Sequence, residues 1–215
     1  MDSSLVVLDR WQAQLAVKRL IDLVGAGILL VLCAPLLLVI ALLVEIESPG
    51  RIFFRQARIG EGGRRFELLK FRTMHAGADE GFQEYLARNP GLRLEYTQRQ
   101  KLVRDPRLTR VGRLLRRCSL DEIPQLINVL RGEMSLVGPR PFLPEQKELY
   151  GSGFQYYQQV RPGLTGLWQV SGRNQLSFRE RVDLDITYLV NWSLWLDLSI
   201  LVRTPWVVLT QKGAY

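Results

Sequence analysis

Histidine and cysteine are scarce in this sequence, and their scarcity limits the chemistry available to the protein. The 215 residues include one histidine, His75, and two cysteines, Cys33 and Cys118. A single histidine effectively excludes Ser-His-Asp, Cys-His and histidine-based metal catalysis. One cysteine lies in an apolar run and the other among arginines, so we expect no disulfide and a reducing compartment. Any nucleophilic or acid–base catalysis must therefore use carboxylates.

Acidic residues are also few relative to basic ones. The sequence has 21 Asp and Glu against 29 Lys and Arg, with a formal net charge of +8 and a pI near 9.9. This excess indicates an anionic partner: nucleic acid, anionic lipid or a phosphorylated substrate. The basic residues of segment 101–117 lack the interleaved aromatic residues on which single-stranded nucleic acids stack. We therefore expect no nucleic acid partner.

Charge is absent from residues 23–44, LVGAGILLVLCAPLLLVIALLV. As a helix with a rise of 1.5 Å per residue, this run would cover about 33 Å, enough to cross a hydrocarbon core. The run is too long for a typical signal peptide, and no small-residue cleavage site follows it. It therefore predicts a membrane helix.

Pro35, near the middle of this run, predicts a break in the helix. Proline removes one backbone hydrogen bond and clashes with the carbonyl four residues earlier, although many spanning helices tolerate it. Basic residues flank both ends, with Lys18 and Arg19 before the run and Arg51 and Arg55 after it. Because the positive-inside rule then places both ends in the cytoplasm, we predict a re-entrant helix that enters one leaflet and returns.

The C-terminal segment predicts no second membrane span. Residues 194–209 are apolar but are interrupted by Asp197, Arg203 and Pro205. The aromatic residues of this region suit a pair of amphipathic helices at the membrane interface. The alternative is an ordinary amphipathic helix packed on the domain. The aromatic residues are Tyr188, Trp192, Trp195, Trp206 and Tyr215.

The remaining sequence predicts an α+β fold in which helices dominate. Residues 51–58 and 65–71 have the pattern of short strands around a turn at 60–63. Residues 76–102 are polar and helix-prone, with a break at Asn89-Pro90-Gly91. The chain is thereby divided into an N-terminal amphipathic segment (1–17), a re-entrant membrane helix (18–47) and a cytoplasmic domain (48–215).

Two adjacent carboxylates, Asp121 and Glu122, stand in the arginine-rich segment RLLRRCSLDEIPQLINVLRG, residues 113–132. Ser119 and Glu122 match a capping box, which would explain Glu122 by structure alone. Pro124 instead favours a helix start nearer Asp121. Either way we predict Asp121 at a helix N-terminus, where the dipole keeps a carboxylate ionised and backbone N–H groups can bind phosphate.

Further cations accompany this carboxylate pair. Arg140 is held between two prolines, a rigid mount that lowers the entropy lost on binding. Glycine-containing loops, RPGLTG at 161–166 and GRN at 172–174, let backbone approach a ligand. Together these features predict a polyanion site. Its other candidate cations are Lys70, Arg72, Arg116, Arg161 and Arg173.

On these residues the chain resembles the bacterial monotopic phosphoglycosyl transferases, which transfer a sugar-1-phosphate from a nucleoside diphosphate sugar to a polyprenyl phosphate. The resemblance covers about residues 18–215 except for 76–102. One difference is Ala34, where many members have serine, so a hydroxyl that could cap a freed carbonyl is lost. The shared features are the proline-broken helix, KRLID (18–22), KFRTM (70–74), SLDEIPQLINVL (119–130), MSLVGPRP (134–141), RPGLTG and GRN.

The resemblance implies a role for each site residue. Asp121 would be the nucleophile, and Arg116 would orient the carboxylate pair. Glu122 would help Asp121 to hold Mg²⁺ and manage protons, and whether it transfers protons or only binds the metal stays open. Attack on a UDP-sugar would release UMP and leave a sugar-phosphoryl aspartate, which the polyprenyl phosphate then resolves. The substrate phosphates and nucleotide would be bound by Lys70, Arg72, Arg140, Arg161 and Arg173.

The resemblance also implies a location and a pathway class. The protein would lie on the cytoplasmic face of the bacterial inner membrane, in contact with lipid, and would begin polysaccharide or glycoconjugate assembly. The C-terminal WSLWLDL and GAY sequences are most similar to members that transfer hexose-1-phosphate of galactose or glucose. The sugar itself and the formation of a homodimer stay open.

Two alternatives remain from the sequence alone. The first is a membrane-anchored binding protein that docks nucleic acid or anionic lipid through its arginines. The second is a different membrane enzyme, either a phosphatase or a glycosyl transferase that breaks the C1–O bond of the sugar. Such a glycosyl transferase would release a nucleoside diphosphate, whereas a phosphoglycosyl transferase releases the monophosphate.

Overall fold

The computed structural model describes residues 3–78, 80–99, 102, 105–172 and 176–210, and it shows a mostly helical protein with two small sheets. The predicted helix-dominated α+β composition is confirmed. The helices are α1 (Ser3–Glu47), α2 (Phe82–Arg88), α3 (Pro90–Arg99), α4 (Arg110–Arg117), α5 (Gln125–Arg131), α6 (Lys147–Tyr150), α7 (Phe154–Tyr157), α8 (Leu167–Ser171), α9 (Phe178–Val190) and α10 (Leu194–Leu209). The strands are β1 (Phe53–Ile59), β2 (Arg65–Phe71), β3 (Ser135–Val137) and β4 (Gly163–Thr165).

Helix α1 is continuous over 45 residues, with no break in secondary structure near residue 17 or at Pro35. The helix therefore continues through Pro35 at the level of secondary structure. A bend at this proline is compatible with a continuous helix and stays a prediction. Among the described residues, Ala13–Glu47 is the stretch long and apolar enough to cross a membrane. Val31 and Leu38 are 74% and 73% exposed, so the middle of α1 presents apolar surface.

The N-terminal half of α1 is fastened to α5 and β3. Arg19 donates to the carbonyl of Val129 at 2.8 Å and to the next carbonyl at 3.2 Å, near the end of α5, where the helix dipole favours a cation. The buried carboxylate of Asp22 accepts from the backbone N–H of Leu136 at 2.8 Å and from the hydroxyl of Ser135 at 3.0 Å. The charged residues of the KRLID motif thus dock α1 on the domain.

The C-terminal end of α1 is fastened to the same domain. Ile40 and Val44 are buried in a cluster with Phe71 of β2 and Leu115 of α4. Glu47 accepts from the first two backbone N–H groups of α4, at 2.6 and 2.8 Å. A carboxylate at this position satisfies donors that a helix N-terminus otherwise leaves unpaired. Both ends of the apolar helix therefore contact one domain.

Strands β1 and β2 form an antiparallel hairpin in which Phe53 lies opposite Phe71 and Ile59 opposite Arg65. The turn between them holds Gly62 and Gly63 at positive φ. Both predicted strands are confirmed, with the first beginning two residues later than expected. The predicted break at Asn89 is also confirmed, since α2 ends at residue 88 and α3 begins at residue 90.

Strands β3 and β4 pair in parallel at the centre of the domain. The backbone N–H of Gly138 donates to Thr165 at 3.0 Å, and that of Gly163 donates to Pro139 at 2.8 Å. A Cβ atom at Gly163 would collide with the Gly138 backbone. Gly163 of RPGLTG is therefore required for the close approach of two backbone segments. The approach of this loop to a ligand stays a prediction.

Asn128 of α5 joins this helix to the edge of β2. Its amide oxygen accepts from the backbone N–H of Leu69 at 3.0 Å, and its amide nitrogen donates to the carbonyl of Glu67 at 2.8 Å. The side chain is fully buried. It thus takes the place of a neighbouring strand and fixes the distance between α5 and β2.

The aromatic residues of the C-terminal region divide between core and surface. Tyr188 is 2% exposed and donates to Asp197 at 2.7 Å, and the indole nitrogen of Trp192 donates to Asp197 at 3.2 Å. The predicted interfacial position is wrong for Tyr188, because Asp197 provides a buried partner for its hydroxyl. Lys18 of α1 donates to the same carboxylate at 2.5 Å. Tyr215 lies outside the described residues.

Helix α10 has one buried and one exposed apolar face. Ile200 is fully buried in the main core, and α10 packs against α8, β3 and β4. Trp195 and Trp206 are 77% and 70% exposed on the other face. This helix can therefore pack on the domain with one face and lie at the membrane interface with the other. Leu198, Val202 and Leu209 extend the exposed stripe.

Candidate functional site

The two adjacent carboxylates lie on a short 3₁₀ turn, Leu120–Glu122, between α4 and α5. The side chain of Ser119 makes no capping hydrogen bond, so the predicted capping box is wrong. The prediction that Asp121 opens an α-helix is also wrong, since α5 begins at Gln125 with Pro124 as its N-cap. Asp121 instead stands in the turn before the helix.

Ser119 gives this turn its shape. Its φ of 55° makes it the one non-glycine residue at positive φ in the described part of the chain. Such a conformation is uncommon outside glycine and often marks a functional turn. The backbone N–H of Ser119 donates to the carbonyl of Arg116 at 3.2 Å. The chain thus folds back, so the last turn of α4 lies beside the carboxylates.

Asp121 is buried at 7% exposure. Burial and repulsion from Glu122 raise the pKa of Asp121 to about 6, while the positive charges of Lys70 and Arg116 oppose this rise. A carboxylate with this pKa is ionised at neutral pH yet more basic than an ordinary aspartate. The arrangement therefore suits a nucleophile that is kept ionised by cations rather than by water.

Two cations interact with the carboxylate pair. Lys70, next to the end of β2, lies 3.5 Å from Glu122. Arg116, at the end of α4, attracts Asp121 and donates through Nε to the hydroxyl of Thr73 at 2.9 Å. Burial lowers the pKa of both cations, and the carboxylates oppose that effect. The structure thus brings together the predicted pair, Lys70 and Arg116.

A small cleft opens beside Glu122 and Lys70. Arg140 lines it, as the sequence predicted, and so does Arg58, which the sequence analysis missed. Arg58 is 8% exposed, and its guanidinium donates to the carbonyl of Pro141 at 3.2 Å. Burial and the neighbouring Arg140 lower the pKa of Arg58 to about 10. The clustering of like charges in a cleft indicates a site that an anion would complete.

The other predicted cations are placed differently. Arg72 donates to the carbonyl of Ser48 and so supports the end of α1; it does not line the cleft. Arg161 pairs with Glu61 at 3.1 Å, near the cleft residue Gly163 but not among the residues that line the cleft. Arg173 lies outside the described residues. Phosphate binding by these three arginines stays a prediction.

A buried carboxyl behind the cleft was also missed. Asp185 of α9 is 1% exposed and accepts from the hydroxyl of Tyr150 at 3.0 Å and from the backbone N–H of Arg140 at 3.3 Å. Burial raises the pKa of Asp185 to about 7, and these two donors oppose the rise. The spacing of Asp185 along an amphipathic helix resembles that of any core position, so the sequence pattern did not distinguish it.

Asp185→Asn is expected to stabilise the protein increasingly as the pH rises from about 5 to 8. The folded-state pKa of about 7 lies above the ordinary value of 3.8. The contribution of Asp185 to stability is therefore greatest at low pH and is lost as the pH rises through 7. Asparagine carries no proton to lose. Thermal unfolding of both proteins at several pH values should show the difference in Tm widening.

The control for this prediction is Asp183→Asn, because Asp183 is an exposed carboxylate on the same helix. Its difference in Tm from the parent should change little with pH. A constant difference for Asp185→Asn would mean that Asp185 keeps an ordinary pKa in the folded protein.

The carboxylate pair is also the candidate metal site. Within the described part of the chain, no group of three or more His, Cys, Asp and Glu residues is arranged to hold a metal ion. Mg²⁺, however, is commonly bound by one or two carboxylates together with substrate phosphates and water. Asp121 and Glu122 beside a cation-lined cleft fit that mode of binding.

Comparisons with known proteins identify a family and several close relatives. The sequence profile of the family described as bacterial sugar transferase matches residues 13–211. An exopolysaccharide production protein, ExoY, of Rhizobium meliloti is 47% identical over 92% of this chain and 88% of its own. The undecaprenyl-phosphate galactose phosphotransferase of Salmonella typhimurium is 44% identical over 98% of this chain and 45% of its own. The UDP-glucose:undecaprenyl-phosphate glucose-1-phosphate transferase of Caulobacter vibrioides is 46% identical over 92% of this chain and 72% of its own.

Proposed function

The chain belongs to the bacterial sugar transferase family, and we propose that it transfers hexose-1-phosphate from a UDP-sugar to a polyprenyl phosphate such as undecaprenyl phosphate. The names of its relatives support this substrate class, since they include galactose and glucose-1-phosphate transferases that act on undecaprenyl phosphate. The observation that carries the proposal is the pair of a buried Asp121 and a half-buried Glu122, which interacts with Lys70 and Arg116 at the edge of a cleft lined by two further arginines.

The proposed reaction has two displacements at the same phosphorus atom. In the first, a carboxylate oxygen of Asp121 attacks the β-phosphate, the bond to the bridging oxygen breaks, and UMP leaves with that oxygen. In the second, an oxygen of the polyprenyl phosphate attacks and Asp121 leaves as a carboxylate. One pyrophosphate bond is lost and one is formed, so the reaction is nearly balanced. The C1–O bond is not broken, and the anomeric configuration is retained.

The cations of the site would hold the carboxylates and stabilise the charge on the phosphates in this reaction. Lys70 and Arg116 hold the carboxylates in place, and Arg58 and Arg140 face the cleft, where the diphosphate would lie. Positive groups fixed before the reaction stabilise the charge that develops on the phosphoryl oxygens, and such preorganisation is usually the largest catalytic term. Mg²⁺ bound by Asp121 and Glu122 would neutralise further phosphate charge.

The docking of α1 supports a re-entrant helix. Arg19 and Glu47 are 28 residues apart, which corresponds to about 42 Å along a straight helix and exceeds the thickness of a hydrocarbon core, about 30 Å. Both residues bind the same domain through hydrogen bonds. A helix that crossed the bilayer would place its two ends on opposite sides of the membrane. A single polar domain on one side could not then contact both ends. We therefore propose that the domain lies on the cytoplasmic face of the inner membrane, with α1 dipping into that leaflet and the exposed stripe of α10 at the interface.

Single cysteines at the two ends of α1 are expected to react from the same side of the membrane. In a Cys33→Ser, Cys118→Ser background, Gln14→Cys and Arg51→Cys should both be labelled by an impermeant maleimide in inverted inner-membrane vesicles. Neither should be labelled in right-side-out vesicles. The control is Tyr156→Cys, on an exposed position of the domain. Labelling of the two ends from opposite sides would mean that α1 spans the membrane.

The proposed activity predicts which nucleotide is released. Detergent-purified protein with Mg²⁺, undecaprenyl phosphate and either UDP-glucose or UDP-galactose should form UMP and a lipid-linked sugar diphosphate in equal amounts. Release of UDP would indicate a glycosyl transferase that breaks the C1–O bond. Binding of anionic lipid without release of any nucleotide would favour the membrane-anchored binding protein.

A further inference from the structure

Asp185 is a buried carboxyl to which the proposed reaction gives no part. Its Oδ2 atom accepts both hydrogen bonds, from the hydroxyl of Tyr150 and from the backbone N–H of Arg140. Its Oδ1 atom is buried with no hydrogen-bond partner among the described residues. Leaving a buried polar atom unpaired is costly, so this carboxyl lowers the stability of the folded protein through its Oδ1 atom. The geometry of its two contacts indicates what it supplies.

The segment that carries Arg140 depends on Asp185. Prolines 139 and 141 have no N–H, so the N–H of Arg140 is the one backbone donor between them. That donor binds Asp185 rather than another backbone group. The rest of the segment is held by the contacts Gly138 N–H to Thr165, Gly163 N–H to Pro139, Arg58 guanidinium to Pro141, and Ile59 N–H to Phe142.

Tyr150 completes the support. Its ring stacks on Phe142 with 4.3 Å between centroids, and its hydroxyl donates to Asp185. Asp185 therefore joins the backbone of Arg140 to the aromatic cluster just beyond it. The guanidinium of Arg140 lies 5.1 Å from the centroid of the buried Trp168 ring. A backbone hydrogen bond and an aromatic ring therefore both restrict the direction of the Arg140 side chain.

We propose that Asp185 is a positioning residue that fixes Arg140 for binding of the substrate diphosphate, and that it acts as a hydrogen-bond acceptor. This inference rests on the proposed function, because it takes the cleft to be the site of the nucleotide sugar's diphosphate. An asparagine offers the same acceptor in the same place, and its amide nitrogen would occupy the position of the unpaired Oδ1. The neutral side chain therefore preserves the function, whereas an apolar one does not.

Binding of UDP tests this proposal without requiring transfer. Calorimetry on the full-length, detergent-purified protein with Mg²⁺ should show that Asp185→Ala weakens UDP affinity about tenfold, as expected for loss of one positioned charge contact. Asp185→Asn should stay within about twofold of the parent. In an Arg140→Ala background, Asp185→Ala should have no further effect, since coupled residues are not additive. Asp183→Ala, an exposed change on the same helix, should leave the affinity unchanged.

Several results would overturn the proposal. An equal loss of affinity from Asp185→Ala in both backgrounds would indicate general structural damage. A loss in Asp185→Asn as large as in Asp185→Ala would mean that the negative charge is required. Unchanged affinity in Asp185→Ala, or no UDP binding by the parent protein, would remove the basis of the inference. If Asp185→Ala does not fold, Asp185→Leu, which is similar in size, replaces it with the same expected loss.

The two proposals fail in different ways. If UDP binds with the expected pattern but UDP-sugars and undecaprenyl phosphate yield no UMP, the transfer reaction is wrong and the positioning role stands. If UMP is released but the affinity for UDP does not change when Asp185 is replaced, the positioning role is wrong and the transfer reaction stands.

Discussion

Asp121→Asn is expected to lower the rate of sugar-phosphate transfer by on the order of 10³-fold or more, as loss of a covalent nucleophile commonly does. An amide of the same shape provides no anionic oxygen to attack phosphorus. The variant should nevertheless fold, because it replaces a carboxyl that is 7% exposed and whose pKa is raised by burial and by Glu122. Removing that buried charge costs little stability, because it also removes the electrostatic repulsion between Asp121 and Glu122.

Intact mass spectrometry distinguishes the covalent mechanism from its alternative. Detergent-purified protein mixed with Mg²⁺ and a UDP-sugar, without lipid acceptor, should gain the mass of one hexose phosphate. Asp121→Asn should gain nothing, and Asp183→Asn, at an exposed position, should behave like the parent. An adduct that persists in Asp121→Asn would place the nucleophile elsewhere. Turnover with lipid phosphate but no adduct in the parent would indicate direct transfer between two bound substrates, with Asp121 as a metal ligand.

Local sequence patterns correctly predicted those helices, strands and turns whose formation depends on residues close together in the chain. The short apolar segments on either side of the glycine turn predicted the two strands β1 and β2, which pair as a hairpin. Gly132, at a φ of 81°, ends α5 by the same kind of local backbone preference. The uninterrupted apolar run predicted α1. In each case the physical cause acts within a few residues, through backbone preferences or hydrophobic periodicity.

The errors arose where contacts distant in sequence decide the structure. Tyr188 was predicted at the membrane interface, but Asp197 and the core around β3 bury it. Arg58 was not singled out because its contact with Arg140 and Pro141 joins parts of the chain more than 80 residues apart. The capping box failed because Ser119 adopts a left-handed conformation that sequence pattern does not reveal. Burial and pairing partners, which set both pKa and role, are properties of the fold.

Asn128 is the clearest example of a residue whose role depends on contacts distant in sequence. Its replacement is expected to have a large effect on stability. Asn128→Ala leaves the buried N–H of Leu69 and the partly buried carbonyl of Glu67 without this side chain as partner. Each unsatisfied group costs about 1–3 kcal/mol, so we expect the free energy of unfolding to fall by about 3 kcal/mol or more. For a chain of this size, that corresponds to a drop in Tm of roughly 6–12 °C.

Transfer activity should fall in the same variant at temperatures where it remains folded. Asn128 fixes β2 relative to α5, and the end of β2 places Lys70 3.5 Å from Glu122. A looser contact between strand and helix lets Lys70 move away from the carboxylates, and small displacements of catalytic groups are costly. The matched control is Asn191→Ala, an exposed asparagine that binds a carbonyl within its own helix at 2.9 Å and should cost under about 1 kcal/mol. Thermal unfolding and UMP release measured on both variants check the two effects. An Asn128→Ala protein as stable as Asn191→Ala would mean that another group satisfies the edge of β2, and that the alignment of Lys70 with the carboxylates does not depend on this side chain.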